Sequence, residues 1–565
     1  MAGDDATAQA RGSKPDGIDD AAEHSHEVAW GSFWGLIGTF AFKLVSFAYA
    51  IYVALAFSQE NVGLFYLSFS VISLIGFWKD LGLPASLQRY VPFFEAKKQG
   101  GKILSLLKMS FLADALLGVL LFAIIFILAG PIGAIYQNEG LAEGLRMLAA
   151  YVLFENLFRV SNSYLLGRRD IKASQFLLNV QNVAKLAITI ALFTLFGATL
   201  FTLSAGFILA YVLVFLLSIP LLLRRLPQAP SPEGALSASE ILHDIVPFGI
   251  TLTIVQTFWI LISSTDRALL GYFGNPVTSV ETVAIYSIAS QLALTIMVFP
   301  GAVGSIFLPV IPRLAGREEY GTMLKVIQTS QRWILFVTIP IALVTMAFAG
   351  EMLSAFYGSS YRPGANAMSI FILGLLFSTI AYPISLALAG MRLVRLELYV
   401  AIACAAANLA LNVLLIPYFG MEGASAASAA AFLLSAWMFE RYGRQYLSYR
   451  TPSGIYKLFA AGAVAFVALL LLKPLAIIIV SFVPAIGSGE IAVYSAKFAY
   501  LAVLGVMGCI GLLIFGAVSL LLRTFKHEDI GLLHSAAGKA HLPPRLISLA
   551  EKIAMMGVEA EKKGS

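Results

Sequence analysis

Charged residues and cysteines are scarce in this sequence of 565 residues. Only 12% of the residues are Asp, Glu, Lys or Arg, and there are two cysteines, Cys404 and Cys509. Both cysteines lie in apolar runs, which argues against a disulfide framework or a thiolate metal site. The six histidines lie in loops or tails without metal-binding spacing, and no phosphate-binding loop of the Gly-rich type ending in Lys-Ser/Thr occurs. We therefore expect no metal, no cofactor and no direct use of ATP.

Hydrophobic residues, by contrast, make up 59% of the chain, and the mean hydropathy is +0.84. Apolar runs of about 20 residues recur along nearly the whole length, and each is long enough to cross a bilayer. The fold class predicted is an all-α integral membrane protein with about fourteen transmembrane helices. The net charge of +6 is not taken as a sign of a nucleic-acid partner. The predicted spans are 29–57, 62–94, 103–130, 145–167, 173–197, 199–223, 245–273, 281–311, 325–350, 364–390, 396–417, 420–440, 456–483 and 492–522.

The loops between these spans alternate in charge. One set is rich in Lys and Arg, whereas the other set has almost none, with Arg362 as its exception. Because positively charged loops stay in the cytoplasm, both termini are predicted to be cytoplasmic and the protein to lie in the cytoplasmic membrane. The basic loops carry Lys97, Lys98, Lys102, Arg168, Arg169, Lys172, Arg224, Arg225, Arg313, Arg317, Arg392, Arg395, Arg441, Arg444 and Arg450.

An internal repeat relates the two halves of the chain. Tyr66 and Tyr286 differ by 220 positions, and Gly197 and Gly420 by 223. A repeat of six spans, an even number, gives both halves the same orientation, related by an axis along the membrane normal. We expect two pseudo-symmetric six-helix lobes plus two extra C-terminal helices. The segments are a disordered tail (1–27), an N-terminal lobe (28–223), a cytoplasmic linker (224–244), a C-terminal lobe (245–450), spans 13 and 14 (451–522) and a cytoplasmic tail (523–565).

Several ionisable residues fall inside the predicted spans, where each costs about 2.5–3.5 kcal/mol on insertion scales. Most of them lie on small or polar helix faces, which predicts a water-filled cationic cavity between the lobes. Such a cavity suits phosphate, pyrophosphate or an acidic sugar. The C-terminal lobe is expected to be nearly uncharged at these depths, except for Asp266 and Arg267 where it begins. The candidate binding cations are Lys43, Lys79, Arg89, Arg159, Lys185 and Arg267, and the candidate coupling carboxylates are Asp80, Asp114, Glu155 and Asp266.

Structural roles remain open for some of these charges. Glu155 and Arg159 can form an i, i+4 pair, and Arg89 can extend its charge to the cytoplasmic interface. Gly82 and Pro84 are expected to loosen the second span and let it bend. For coupling, the carboxylates indicate H⁺ or Na⁺, and the membrane potential acting on net charge is an alternative.

Three segments resemble a known family. GLFYLSFSVISLIGFWKDLGLPASLQRY (63–90) and STDRALLGYF (264–273) resemble the second and seventh spans of polysaccharide and oligosaccharide flippases. NLALNVLLIPYFGMEGASAA (408–427) is similar to a pattern of the wider multidrug/oligosaccharidyl-lipid/polysaccharide exporter superfamily. The resemblance implies a V-shaped, two-lobed transporter that works by alternating access. It also implies movement of sugars linked to polyprenyl phosphate or pyrophosphate from the inner to the outer leaflet.

The related lipid II flippases have fourteen spans and cations in spans one, two and eight. Lys43 and Lys79 match the first two, but the eighth span here has no mid-membrane Arg, and Arg267 is expected to take that place. This departure favours a surface-polysaccharide or glycoprotein-type glycan over lipid II. By the same resemblance, the last two spans are expected to receive the lipid tail. The segment 545–556 is amphipathic and is either an interfacial helix or a solubilising tail.

The function predicted is therefore that of a lipid-linked oligosaccharide flippase, not an enzyme. One alternative is a cation-coupled multidrug exporter, although that class is expected to have twelve spans and lone carboxylates. A membrane glycosyltransferase is the other alternative, disfavoured because the outer loops lack histidine. The expected partners are the lipid-linked oligosaccharide, membrane lipids and a coupling ion, and the oligomeric state is left open.

Overall fold

The computed structural model of the protein describes residues 37–76, 79, 82–227, 236–240, 243, 245–275, 278–307, 310–391, 393–482 and 490–524. Within these ranges the chain is helical between short connections, with no β-strand. The first helices are α1 (Ile37–Ala56), α2 (Gln59–Ile75), α3 (Leu83–Ala96), α4 (Gly100–Ile135), α5 (Glu139–Gly167), α6 (Ile171–Phe196), α7 (Leu200–Leu223) and the single turn α8 (Ala238–Glu240). They are followed by α9 (Val246–Phe273), α10 (Ser279–Leu294), α11 (Val298–Phe307), α12 (Val310–Gly316), α13 (Tyr320–Ala347), α14 (Ala349–Tyr357), α15 (Ala365–Gly390), α16 (Val394–Leu447), α17 (Ser453–Phe482) and α18 (Glu490–Leu521).

Helices overlap all fourteen predicted spans, and the all-helical membrane fold is confirmed. Ten helical segments of the described chain are long and apolar enough to cross a membrane. By the same measure α2 and α3 are too short and α5 is too polar, whereas several side chains of α9 lie outside the description. The segment α16 counts once, although it contains two helices that meet at Gly420. The number fourteen therefore stays a prediction. The tails, including 545–556, lie outside the described residues.

Side-chain caps start several of the helices. Ser58, Asn138, Asp170 and Thr199 each accept a hydrogen bond from the backbone N–H three residues later. Such a cap satisfies one of the N–H groups that a helix start leaves unpaired, and typically contributes about 1 kcal/mol. Short polar connections are therefore enough to end one apolar helix and begin the next.

The predicted repeat is visible in the local backbone. Gly197, between α6 and α7, and Gly420, 223 positions later inside α16, both adopt a positive φ, 74° and 53°. Glycine reaches this region without the steric cost that a side chain adds. In addition, α2 ends at Ile75, and a 3₁₀ turn interrupts the eighth span from Thr295 to Met297, again an offset of 220. Spans two and eight are thus interrupted at matching positions.

The expected weakness of the second span is confirmed. It is divided into α2 and α3, and α3 starts at Gly82 with φ of 75° and has Pro84 in its first turn. Proline is tolerated there because the first N–H groups of a helix have no intrahelical partner. The second span therefore consists of two helices with a break beside Lys79.

The helices pack into two bundles. In the N-terminal bundle (α1–α7), α5 packs against α2, α3, α4 and α7. In the C-terminal bundle (α9–α16), α15 and α16 pack closely, with α9 and α13 beside them. The pair α17 and α18 packs against α13, and Lys473 of α17 bonds to Glu351 of α14 at 3.0 Å. The extra pair is therefore attached to the C-terminal bundle.

The two bundles meet along α2 and α3. Near the start of α2, Gly63 faces the carbonyl of Val280 on α10 so closely that a Cβ at Gly63 would lie 1.9 Å from that oxygen. At the start of α3, a Cβ on Gly82 would lie 1.9 Å from the carbonyl carbon of Gly249 on α9. The Ser86 hydroxyl also donates to the carbonyl of Ile245 at 2.9 Å. The structure is thus a conformation in which the bundles touch at both levels.

A short connection also joins the linker to the N-terminal bundle. Lys102 Nζ lies 2.5 Å from Glu240 Oε1, and the hydrogen bonds from Lys102 and from the backbone N–H of Ser237 lower the pKa of Glu240 to about 2. The Glu240 carboxylate is therefore ionised at neutral pH, and α8 is held beside the start of α4.

The close approach at Gly63 predicts a large effect of a single methyl group. In Gly63→Ala the new Cβ would overlap the Val280 carbonyl, and overpacking of this kind costs about 1–3 kcal/mol. We expect a lower thermal unfolding temperature for the purified protein in detergent. Gly505→Ala in α18 is the matched control, because nothing lies within 4 Å of that position. Equal unfolding temperatures for the two variants would contradict the close contact between the bundles.

Candidate functional site

The charges predicted in the second and fourth spans form one cluster. Lys79 Nζ lies 2.8 Å from Glu155 Oε2, and Arg159 Nη2 lies 2.5 Å from Glu155 Oε1. The side chain of Asn156 donates to the backbone carbonyl of Lys79 at 2.8 Å. These side chains are only partly exposed, and each of the two cations is in direct contact with the Glu155 carboxylate, which compensates its charge. The cluster fixes the break between α2 and α3 against α5, and its three charges sum to one positive charge.

Lys185 on α6 has a different environment. Its Nζ lies 4.3 Å from the ring centroid of Tyr49 on α1 and 5.9 Å from that of Phe207 on α7. One turn before it, Asn182 donates to the Ser46 hydroxyl at 3.0 Å, which gives α1 and α6 a polar seam. Among the described residues Lys185 forms no ion pair. The ammonium is held by aromatic faces, a contact that leaves its N–H donors available for a ligand.

Arg267 lies where the two bundles meet. Its guanidinium carbon is 5.9 Å from the ring centroid of Tyr66 on α2, and the Tyr66 hydroxyl donates to Gln291 Oε1 on α10 at 3.0 Å. The Nε of Arg267 is buried, with no hydrogen-bond partner among the described residues. Within the described part of the chain, no protein acceptor pairs with this donor.

The other two predicted cations, Lys43 and Arg89, are exposed. Lys43 lies on the exposed face of α1, and the Arg89 guanidinium lies 5.5 Å from the ring centroid of its neighbour Tyr90 on α3. Direct contacts bring Lys79 and Arg159 together through Glu155. A single cavity that contains all six stays a prediction.

Asp266 of α9 is the centre of a second polar cluster, buried inside the C-terminal bundle. Its Oδ2 accepts from the hydroxyls of Tyr286 on α10 and Ser428 on α16, each at 2.6 Å. Its Oδ1 accepts from the side-chain amides of Asn412 at 2.7 Å and Asn408 at 3.1 Å. Asp266 itself is 0% exposed, as are both asparagines and the serine. We call these five residues the Asp266 cage.

The cage contains one more oxygen acceptor than there are donors to pair with it. Asn408 Oδ1 accepts from the Asn412 amide at 3.0 Å, whereas Asn412 Oδ1 is buried and has no hydrogen-bond partner in the described part of the chain. A buried acceptor without a donor costs about 1–3 kcal/mol. A carboxylate, two amide oxygens and two hydroxyl oxygens in one buried site suit a small cation that prefers oxygen ligands.

The remaining predicted carboxylates do not share this environment. Asp114 is fully buried in α4, and Glu155 belongs to the cluster with Lys79 and Arg159. Asp80 lies outside the described residues. Asp266 is hydrogen-bonded to uncharged polar side chains, whereas Glu155 is paired with two cations.

Sequence reasoning missed most of the cage. Asn408 and Asn412 lie inside the segment quoted for its resemblance, but only their i, i+4 spacing on an apolar helix signals a shared polar face. Tyr286 appeared only as a mark of the repeat. Ser428 carries no signal, because buried serines are common in the membrane helices of this chain.

The C-terminal bundle contains further charged side chains with little exposure, and the expectation that it is nearly free of charge at depth, apart from Asp266 and Arg267, stays a prediction. Arg332 and Glu351 are 5% and 4% exposed, and Glu397 of α16 is half-buried. Arg332 donates to the Thr329 hydroxyl at 3.2 Å, and Glu351 pairs with Lys473. Lys473 lies 122 residues after Glu351 in the sequence, a distance that helix periodicity alone does not connect.

Comparison with known proteins places this chain among membrane transport proteins. A family model described as polysaccharide biosynthesis protein matches residues 57–366. An uncharacterized membrane protein of Methanocaldococcus jannaschii is 20% identical over 74% of this chain and 84% of its own length. A putative O-antigen transporter of Shigella flexneri is 21% identical over 44% and 59% of the two chains. A probable low-salt glycan biosynthesis flippase of Haloferax volcanii is 24% identical over 32% and 38%.

Solved structures show the same fold. The lipid II flippase MurJ in an inward closed conformation superposes with a TM-score of 0.64 at 14% identity, over 85% of this chain and 97% of that one. An inward-facing multidrug resistance MATE family transporter of the MOP superfamily superposes with a TM-score of 0.60 at 16% identity, over 72% of this chain and 94% of that one. The predicted exporter-superfamily fold is confirmed.

The geometry of the Glu155 cluster predicts that the stability of the protein depends strongly on the Glu155 carboxylate. Breaking a fully buried ion pair lowers the free energy of unfolding by about 3–5 kcal/mol. The Lys79 and Arg159 side chains are 24% and 29% exposed, so we expect a smaller loss of about 2 kcal/mol in Glu155→Gln. The thermal unfolding temperature of the purified protein should fall. Glu319→Gln, which breaks a pair with Arg317 on the surface, should leave it nearly unchanged. An unaltered unfolding temperature in Glu155→Gln would mean that the cluster does not hold α3 against α5.

Proposed function

The chain belongs to the polysaccharide biosynthesis protein family, and we propose that it translocates a lipid-linked oligosaccharide across the cytoplasmic membrane by alternating access. The relatives named as an O-antigen transporter and a glycan flippase support a glycan carried on a lipid. The likeness of the fold to MurJ supports movement between two bundles. In this proposal the protein is a transporter rather than an enzyme, and its two lobes are residues 28–223 and 245–450.

The observation that carries the proposal is the way Lys185 and Arg267 are held. Aromatic rings, not carboxylates, contact both cations, and no ion pair of the described chain includes either one. A phosphate or pyrophosphate linkage offers the charged oxygens that such donors bind. We therefore assign Lys185 and Arg267, together with the exposed Lys43, to the head group of the substrate. Lys79 and Arg159 contribute their shared positive charge.

The distribution of basic loops supports an orientation. Lys97, Lys98, Arg168, Arg169 and Arg225 all lie in the connections that follow α3, α5 and α7. We call the side of the membrane that carries these connections the basic side and propose that it faces the cytoplasm, together with both termini.

The Asp266 cage supports a coupling role for this carboxylate. Rotation of the Asn408 and Asn412 amides and of the two hydroxyls would turn their oxygens toward a cation bound at Asp266. A proton on Asp266 would instead use one of the same acceptors, so the cage suits either H⁺ or Na⁺. We propose that this ion drives the change between the inward and outward states, in preference to the membrane potential alone.

The head-group assignment predicts the effect of removing each cation. A hydrogen bond to a charged group contributes about 1.5–3 kcal/mol, so Lys185→Ala and Arg267→Ala should each slow flipping about tenfold or more. The measurement is the flipping of a fluorescent polyprenyl-pyrophosphate oligosaccharide in proteoliposomes, with Lys43→Ala as a third variant. Lys108→Ala is the control, an exposed cation on α4. Full activity of the triple variant, with insertion intact, would contradict the assignment.

The coupling assignment predicts a different loss in Asp266→Asn. This change keeps the size of the side chain and removes its charge, so flipping driven by an imposed H⁺ or Na⁺ gradient should fall about tenfold or more. Equilibration of substrate without a gradient should persist. Ser428→Ala keeps the charge, removes one hydroxyl, and should raise the ion concentration needed for half-maximal flipping. Gradient-driven flipping at the wild-type rate in Asp266→Asn would exclude Asp266 as the coupling carboxylate.

Cation-coupled drug export is the second candidate function, favoured by the likeness to the MATE transporter fold. The same proteoliposomes decide between the two. Efflux of organic cations with no flipping of the lipid-linked oligosaccharide by the wild-type protein would replace the flippase proposal.

A further inference from the structure

The C-terminal bundle has a half-open cavity of about 460 Å³, most of which the head-group and coupling assignments do not use. Its walls come from α9, α10, α15 and α16, and most of the lining side chains are aliphatic or aromatic. Liquid water occupies about 30 Å³ per molecule, so the volume is sufficient for a file of several waters. The polar side chains that line it are Ser263, Ser378, Ser385, Glu397, Ser428 and Ser435.

One end of this cavity reaches the Asp266 cage. Ser428 lines the cavity and also donates its hydroxyl to Asp266 Oδ2 at 2.6 Å. Ser263 lies on α9 one turn before Asp266. A small ion or a water molecule in this end of the cavity is therefore separated from the Asp266 carboxylate by a single hydroxyl group.

The other end reaches the basic side. Glu397 lines the cavity and is the fourth residue of α16, which starts on that side. The amide of Asn408, eleven residues later on the same helix, donates to Ser428 at 3.2 Å. At a rise of 1.5 Å per residue, Glu397 lies about 16 Å from the level of the cage. The cavity thus extends from the basic-side end of the bundle to the buried carboxylate.

The polar groups along this path are arranged as acceptors. Ser435 donates its hydroxyl to the carbonyl of Phe432 at 2.7 Å, and Ser385 donates to that of Tyr382 at 2.8 Å. Ser263 donates to the carbonyl of Ile260 at 3.2 Å. With their protons committed to the backbone, these hydroxyls offer lone pairs to whatever occupies the cavity. Together with the Glu397 carboxylate, they favour positive over negative charge.

We propose that this cavity is the path by which the coupling cation, a proton carried by water or a sodium ion, passes between the basic side of the membrane and Asp266. Glu397 at its entrance selects for positive charge. The path rests on the coupling role proposed above for Asp266. Its existence is nevertheless tested without any flipping, because it requires only that water-soluble cations reach the serines inside the bundle.

The test is the accessibility of introduced cysteines in the full-length protein in membrane vesicles, with the native Cys404 kept as an internal control. Ser435→Cys and Ser385→Cys are each made in a Cys509→Ser background and treated with a charged thiol reagent added to one side at a time. We expect a cationic reagent to label both positions from the basic side, about tenfold or more faster than an anionic reagent of similar size. Labelling of Lys97→Cys identifies the basic side. Glu397→Gln should bring the two rates closer together.

The chain supplies matched controls on the same helix. Cys404 is 0% exposed at a similar depth of α16 and is not among the residues that line the cavity, so it should remain unlabelled. Leu433→Cys lies on the exposed, apolar face of α16, beside Ser435, and should resist the same reagents in a bilayer. Thermal unfolding of each variant verifies that the bundle is intact.

The outcomes separate the path from the coupling function. If Ser435→Cys and Ser385→Cys react no faster than Cys404, the path is wrong, whatever the flipping assays show. If both react from the basic side and with a cation preference that depends on Glu397, the path stands even if Asp266→Asn leaves coupling unchanged. Slower labelling in sodium than in choline, lost in Asp266→Asn, would identify Na⁺ as the ion, and equal labelling in the two salts would exclude Na⁺ from the path.

Discussion

The high cost of an ionised side chain in a hydrocarbon environment governs this structure. The protein meets that cost in two ways. Glu155 neutralises one of two cations by direct contact, whereas Asp266 is surrounded by four neutral donors. The first arrangement is rigid, because separating any partner leaves a charge without compensation. The second can exchange its hydrogen bonds for a bound ion without moving a charged residue, which is why it suits reversible occupancy.

Helix interruptions appear where the structure needs both proximity and movement. The break between α2 and α3 lies beside Lys79, and the cluster around Glu155 compensates for the loss of regular helix there. The related interruption in the eighth span, the 3₁₀ turn at Thr295–Met297, separates α10 from α11 within the C-terminal bundle. Gly63 and Gly82 bring α2 and α3 against the C-terminal bundle at two levels. A regular helix with larger side chains at these two positions could not approach the C-terminal bundle so closely. The relative position of the bundles therefore depends on α2 and α3.

The sequence predicted the helices well, because a membrane span is a local property of about 20 residues. It also predicted the repeat and the weak point at Gly82, since glycine and proline act within one turn. It did not predict the Asp266 cage, whose members come from α9, α10 and both parts of α16. Helix periodicity assigns a residue to a face but does not tell which distant face it meets. The paired state of Lys79 and the buried ion pair of Glu351 with Lys473 were missed for the same reason, and the pairing of Glu155 with Arg159 was found because it is local.

Asp266 and Arg267 connect the two parts of the proposed mechanism. They are adjacent on α9 and therefore point about 100° apart. One carboxylate faces the interior of the C-terminal bundle, and the neighbouring guanidinium faces Tyr66 across the contact between the bundles. Tyr286 and Gln291 repeat this relation on α10, where one hydroxyl binds Asp266 and one amide oxygen accepts from Tyr66. As long as α9 and α10 stay helical, a rearrangement around Asp266 that shifts either helix also shifts a residue that holds the N-terminal bundle. In the proposed mechanism, ion occupancy and contact between the bundles are thus linked through single turns of two helices.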